Sequence, residues 1–314
     1  MTPSEFSTKI KHVTIPLKGN IPTIKTYTLR VKKQYNGITI LDFYTQVMPS
    51  ISKQIWEQKI VSKNLTVKNK SVSINTIIHT GQITQHFTAP QTEPNISTNI
   101  ELLEWNTDFI VINKPAPLPM HPSGRFSQNT LSEILKDAFP TENFKLVHRI
   151  DANTTGVVVI ARNKMMASNL ATQFKNQEIK KEYLTLVEGI LTQKHFTLQQ
   201  SISKKITASG SREISDIGKK ATTDFTVLKK NTKKKTTLLS VIPHSGRTNQ
   251  IRLHLANIGF PIVGDIGYKE EAYFKSNPLT YSSDCLFLHA HKLTFSYKNR
   301  LRTFEATIPE KFNI

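Results

Sequence analysis

The 314-residue chain has one cysteine, Cys285. A single thiol cannot close an intrachain disulfide or build a cysteine-rich zinc site, and nothing calls for an oxidising compartment. No apolar run approaches the roughly 20 residues that span a bilayer. The opening MTPSEFSTKI has no basic flank followed by a long apolar core, so no secretory leader is expected. The 12 glycines form no dinucleotide-binding or phosphate-cradling pattern. Acidic residues are scarce: 23 Asp and Glu stand against 42 Lys and Arg, a net charge of +19. With 38% hydrophobic and 21% charged residues, the composition is that of a globular protein long enough for two domains. The expectation is a cytoplasmic protein, free of membrane, whose charge attracts a polyanion, with nucleic acid the leading partner over a generically basic surface.

Residues 1–25 are polar, contain Pro3, Pro16 and Pro22, and read as a loosely ordered arm with strand-like pieces possible. YTLRVKK, from Tyr27, alternates as a strand does. Ile40, Leu41, Phe43, Tyr44, Val47 and Met48 recur at helical spacing, and a second short helix is expected from Ser52 to Ile60. Alternating segments with turns at Asn69-Lys70 and Gly81 follow. Residues 89–99 are polar with Pro90 and Pro94 and read as a linker. Beyond it, IELLEW, FIVINKP, GVVVIAR, YLTLVEG, KATTDFTVLKK and TTLLSVIP read as strands. Helices are expected around 131–139, 165–176 and 250–258, and a terminal hairpin over 286–307. The lysine run KKNTKKKTT marks a solvated hairpin tip that could touch phosphates.

Two segments carry chemistry. In HRIDANTTGVVVIAR, residues 148–162, Asp151 sits in a polar turn at the mouth of an apolar strand. That placement suits a functional acid, although a lone Asp there is commonly a turn former or helix cap. In HSGRTNQIRLHLANIGFPIVGDIGY, residues 244–268, Arg252 opens a helix and could pair with a buried carboxylate through its fork of donors. The plain alternative is a solvent-facing arginine, and His254 reads as a buried, satisfied histidine. No histidine has metal-ligand spacing with a carboxylate partner.

HRIDANTTG, KKEYLTLVEG, GRTNQIRLHLANIGFPIVGD and FLHAHKLTF occur in that order, after FIVINKPAPLPMHPSG at 109–124. Together they resemble the motifs of the RluA-type pseudouridine synthases, over residues 100–314. Three departures are visible: Ile150 replaces the usual leucine, Thr155 the usual serine and Asn249 the usual histidine. The last keeps hydrogen bonding but loses a titratable ring.

The resemblance implies an α+β fold: a large mixed, mainly antiparallel sheet with flanking helices over 100–314. Ahead of it, residues 26–88 resemble a degenerate alpha-L RNA-binding domain, with Ile40, Leu41 and Asp42 where the family has Arg-Leu-Asp. Lys53, Lys59, Lys63, Lys68 and Lys70 there could contact phosphates. The implied reaction isomerises uridine to pseudouridine in ribosomal or transfer RNA, large-subunit ribosomal RNA first, without cofactor or metal, by a monomer. The rival is a non-catalytic RNA-binding or ribosome-assembly factor. By resemblance Asp151 is the catalytic carboxylate, Arg252 its cation, and Tyr183 the active-site ring that stacks on uracil and assists removal of the carbon 5 proton. Arg149 would fill the space left by the flipped base, joined in RNA contact by Arg247, Lys114 and His148. Ile150, Thr154 and Leu288 would wall the pocket.

Overall fold

A computed structural model describes residues 1–49, 51–204, 212–269 and 286–313. Cys285 therefore lies outside the described residues. The chain forms two compact units, residues 19–92 and residues 1–18 with 93–314.

The N-terminal arm is not loose. Pro3–Thr14 is a helix, α1. Thr2 accepts from the Glu5 amide and the Glu5 carboxylate accepts from the Thr2 amide, a reciprocal cap with proline at the first turn. Phe6 and Ile10 lie on one face and are buried in the larger unit's core, with Phe6 stacked on Phe139 at 5.3 Å. The three prolines and the polar composition had masked this stripe.

The smaller unit holds β1 (Thr26–Arg30), α2 (Ile40–Val47), α3 (Lys53–Val61), β2 (Leu65–Val67), β3 (Lys70–Ser71) and β4 (Ile83–Phe87). Its sheet has the order β1-β4-β2-β3. Ile40, Phe43 and Tyr44 from α2 meet Trp56 and Ile60 from α3 in one core. Lys68 and Asn69 both take positive φ, the conformation that a two-residue hairpin between β2 and β3 requires. Of the five lysines considered for phosphate contact, Lys59 is committed to the Phe87 carbonyl at 2.7 Å.

The larger unit continues with β5 (Glu101–Trp105), β6 (Phe109–Lys114), α4 (Leu131–Ala138), β7 (Lys145–Leu146), β8 (Thr155–Ala161), α5 (Lys164–Lys175), β9 (Lys180–Glu188), β10 (His195–Ile202), β11 (Lys219–Asn231), β12 (Thr236–Pro243), α6 (Gln250–Asn257), α7 (Ile266–Lys269), β13 (Leu288–Tyr297) and β14 (Arg300–Glu305). Its sheet runs β10-β11-β12-β9-β13-β8-β6-β5, with β14 beside β13 and β7 beside β8. Among the described strands only the β13–β8 pairing is parallel, so the sheet is mixed and mainly antiparallel, as expected. The KKNTKKKTT run does form the β11–β12 hairpin tip.

β8 explains its own apolar sequence. Val158 and Ile160 face one core with α1 and α4, while Val157, Val159 and Ala161 face the other with α5. A strand covered on both sides loses the alternation of a half-exposed one. β13 enters between β8 and β9, and its Ala290 backbone lies against Gly156, where an added Cβ would come within 2.1 Å of the Ala290 oxygen. Glycine at 156 permits the junction that brings the Asp151 loop, β9 and Leu288 to one end of the sheet.

Histidines buried in both units make the fold acid-sensitive. Burial pushes His86, His254 and His289 each down to about 4. The unfolded chain takes up these protons below about pH 6.5, whereas the folded chain resists until about pH 4. Their contribution to stability is complete above pH 6.5 and declines as pH falls toward 4. Scanning calorimetry should find a melting temperature lower by roughly 10 °C at pH 4.5 than at pH 7, a few kcal/mol of lost stability. An unchanged midpoint at pH 4.5 would contradict neutral burial.

Candidate active site

The Asp151 loop is fastened before its carboxylate is presented. The Val159 amide donates to His148 Nε2 at 3.0 Å, tying the loop to β8. Ile150 is sunk into the core. The Thr154 amide closes a turn on the Asp151 carbonyl at 3.0 Å. Lys114 Nζ donates to the carbonyls of Pro115, Leu118 and Ala152 at 2.9, 2.8 and 3.1 Å. Between these anchors the Asp151 side chain emerges 26% exposed and Arg149 projects into solvent.

Arg252 is fixed from the other side. Asn249 takes the left-handed conformation ahead of α6, at φ 56°. One turn on, Arg252 Nε and Nη2 bind the two oxygens of Asp265, each at 2.7 Å. Its Nη1 reaches an Asp151 oxygen and the Asn249 side-chain oxygen, both at 3.2 Å. The Tyr268 ring lies 5.1 Å from the guanidinium. The bidentate carboxylate is thus Asp265, only 2% exposed, and Asp151 receives a single longer contact. Burial alone would lower the Arg252 pKa, but the hydrogen bonds and charge of Asp265, with Asp151, hold it above its ordinary value. The cation is permanent and already oriented, which leaves one Asp151 oxygen uncommitted to it.

Tyr183 projects from β9, whose neighbours are β12 and β13. Burial, then the Asp151 charge, push its phenol well above the ordinary range, so it stays protonated at neutral pH. A cleft of about 490 Å³ opens here, within the span of typical ligand pockets. Asp151, Arg252, Tyr183, Arg149 and Arg247 line it, and Leu288 closes one wall. Ile150 and Thr154 also reach its lining, although Thr154 is almost fully buried.

Two expectations change. Lys114 is fully buried behind the loop, its three donors spent on carbonyls, so it cannot contact RNA. It positions the backbone next to Asp151, and burial pushes its pKa down to about 7 against the pull of Asp151. His148 borders the cleft but is a neutral ring, stacked on Phe174 at 4.8 Å, with Nε2 accepting from the backbone. Burial, then the Lys181 charge, push it to about 3, so it offers no cation to a phosphate.

A family model described as RNA pseudouridylate synthase matches residues 108–257, which hold the Asp151 loop, Tyr183 and Arg252. A protein named ribosomal large subunit pseudouridine synthase C, from Buchnera aphidicola subsp. Baizongia pistaciae, is 35% identical over 223 residues, 68% of this chain and 68% of its own. An uncharacterized RNA pseudouridine synthase from Aquifex aeolicus is 35% identical over 240 residues, 71% of this chain and 75% of its own. The chain belongs to the RluA-type RNA pseudouridine synthase family. The solved structure of human RNA pseudouridylate synthase domain containing 1 has a TM-score of 0.57 and 25% identity, covering 69% of this chain and 87% of that one.

This pseudouridine synthase contains site residues that the motifs alone did not single out. Asp265 stood in a quoted motif, but an acid after a glycine reads as a turn residue until its burial against Arg252 is seen. Gln250 accepts from Ser245 Oγ at 2.7 Å and from the Arg247 amide at 3.1 Å, and donates to Thr222 and Thr223 on β11. It clamps the 244–249 loop to the sheet. Lys181 lies two residues before Tyr183, and the period of two along a strand was the available signal that both share a face.

Proposed function

We propose that this RNA pseudouridine synthase isomerises specific uridines in large-subunit ribosomal RNA, with Asp151 as its catalytic carboxylate. The observation that carries the reading is the asymmetric placement of Arg252, locked onto Asp265 by two bonds and touching Asp151 by one. That arrangement sets a fixed cation against Asp151 while leaving it an oxygen free of the guanidinium. Attack on the anomeric carbon and removal of a sugar proton both need the ionised form. In the reaction the bond from the anomeric carbon to uracil N1 breaks, the base turns while held, and carbon 5 bonds to the sugar. The carbon 5 proton leaves and N1 gains one, so the product is an isomer. Tyr183, a protonated phenol, stacks its ring on the turning base and relays rather than first accepts that proton. Arg149, exposed at the rim, fills the stack vacated by the flipped uridine.

The choice of ribosomal RNA is supported by the name of the Buchnera relative. Residues 26–88, within the 19–92 unit, are read as a degenerate alpha-L-like RNA-binding module, supported by two helices on a four-stranded sheet and by exposed Lys53, Lys63, Lys68 and Lys70. Purified protein should release tritium from 5-tritiated uridine in large-subunit ribosomal RNA transcripts. Release from transfer RNA transcripts alone would move the target, and release from neither would reject the reading.

A chain of charge +19 gripping RNA through phosphates displaces counterions. Raising salt from 50 to 200 mM should weaken binding at least about tenfold, measured by fluorescence anisotropy. A flat salt dependence would contradict extensive phosphate contact.

A further inference from the structure

The cleft contains cations that the proposed chemistry does not use. Arg252 is neutralised by Asp265 and Asp151. Lys181 and Arg247, which also line the cleft, have no acidic partner among the described residues. Lys181 rises from β9 and donates to the Ser245 carbonyl at 2.9 Å. A Cβ at Gly246 would stand 3.9 Å from its Nζ, so the loop backbone passes directly over the ammonium. Arg247, two residues beyond Ser245, donates its Nε to the Lys220 carbonyl at 3.3 Å. Both side chains line the cleft and both are partly buried.

The support for this pair is built in. Gln250 holds Ser245 Oγ and the Arg247 amide together and is itself bound to β11. Lys181 sits in the β9 ladder next to β13. Two like charges are therefore held beside each other by rigid elements, and their repulsion has no internal relief. Burial, then the Arg247 charge, push the Lys181 ammonium down to about 8. Lys181 has spent one of its three donors on a carbonyl, and Arg247 keeps its terminal nitrogens. A tetrahedral anion carries acceptors for both.

We propose that Lys181 and Arg247 form an anion subsite that holds a backbone phosphate of the target nucleotide and thereby registers its sugar over Asp151. This rests on the reading that the cleft receives a uridine within RNA. The cleft then has two electrostatic halves. The Arg252 half maintains the reacting carboxylate, and the Lys181 half grips the strand. Lys181 is a binding residue for the phosphate, and its effect on the reaction comes through position.

The test is steady-state kinetics with the full chain on an RNA that the wild-type protein modifies. Lys181→Gln should raise KM at least tenfold and leave kcat within about threefold, while Lys181→Arg restores KM to within about threefold. Arg247→Gln should give the same split. The double variant should cost less than the product of the two single effects, because both grip one phosphate. The salt slope of RNA binding should fall by about 0.7 in Lys181→Gln, the value for one phosphate contact in a single strand. An unchanged KM in Lys181→Gln, or a loss confined to kcat, would overturn the subsite. Should Lys181→Gln fail to fold, Arg247→Gln carries the same KM and salt-slope criteria. Wild-type protein that modifies neither ribosomal nor transfer RNA would instead refute the functional reading itself.

Discussion

Replacing Asp151 by Asn should reduce isomerisation at least about a thousandfold while RNA affinity stays within about twofold. The substitution keeps shape and removes the negative charge. An amide can neither attack the anomeric carbon nor take a proton from the sugar, so the step has no substitute. Affinity rests on many phosphate contacts spread over a basic protein, and Asp151 contributes none of them. The fold should tolerate the change. Asp151 is partly exposed and, among the described residues, its side chain takes one 3.2 Å bond, from Arg252, whose guanidinium keeps both bonds to Asp265. Single-turnover assays beside binding titrations would check both halves. Retained turnover would remove Asp151 from the chemistry, and lost binding would make it a recognition residue.

Asp265→Ala should be the more damaging change to the protein as a whole. Asp265 takes two 2.7 Å bonds from Arg252 and a third, at 3.1 Å, from the Gly267 amide. Its removal strands a mostly buried guanidinium. Breaking such a pair from one side costs about 3–5 kcal/mol, because the remaining charge is uncompensated. Freed of its anchor, Arg252 no longer holds the Asp151 carboxylate in one place. Displacement of the carboxylate by about 1 Å is worth roughly a hundredfold in rate. Urea unfolding and turnover should therefore fall together in Asp265→Ala, whereas in Asp151→Asn turnover falls alone. Equal stability of Asp265→Ala and wild type would contradict the anchoring role.

Much of the site was legible because the chemistry is local in sequence. A polar turn before an apolar run marked Asp151, and the family resemblance marked Tyr183. What escaped depended on contacts between distant segments. Lys114 was expected to contact RNA, and its burial depends on Ala152, in the loop that leads into the neighbouring strand β8, offering a carbonyl. His148 reads as polar until the Val159 amide is found bound to its ring. The partner of Arg252 was expected to be the catalytic acid. The carboxylate that takes both its bonds lies 13 positions along the chain, beyond a Gly-Phe-Pro turn. The N-terminal helix is a different case, since its signals were local. Thr2, Pro3 and Glu5 form a start signature and Phe6 and Ile10 a stripe, but twelve residues of polar sequence hold a helix only because the larger unit's core covers that stripe.

Asp151, beside an Arg252 anchored on Asp265, is proposed to isomerise uridines in ribosomal RNA. Transcriptome-wide pseudouridine mapping tests it most directly, in cells lacking the chain and complemented with wild type or Asp151→Asn. Discrete sites in large-subunit ribosomal RNA should vanish with the gene and return only with the wild-type protein. Return of those sites with Asp151→Asn would contradict it.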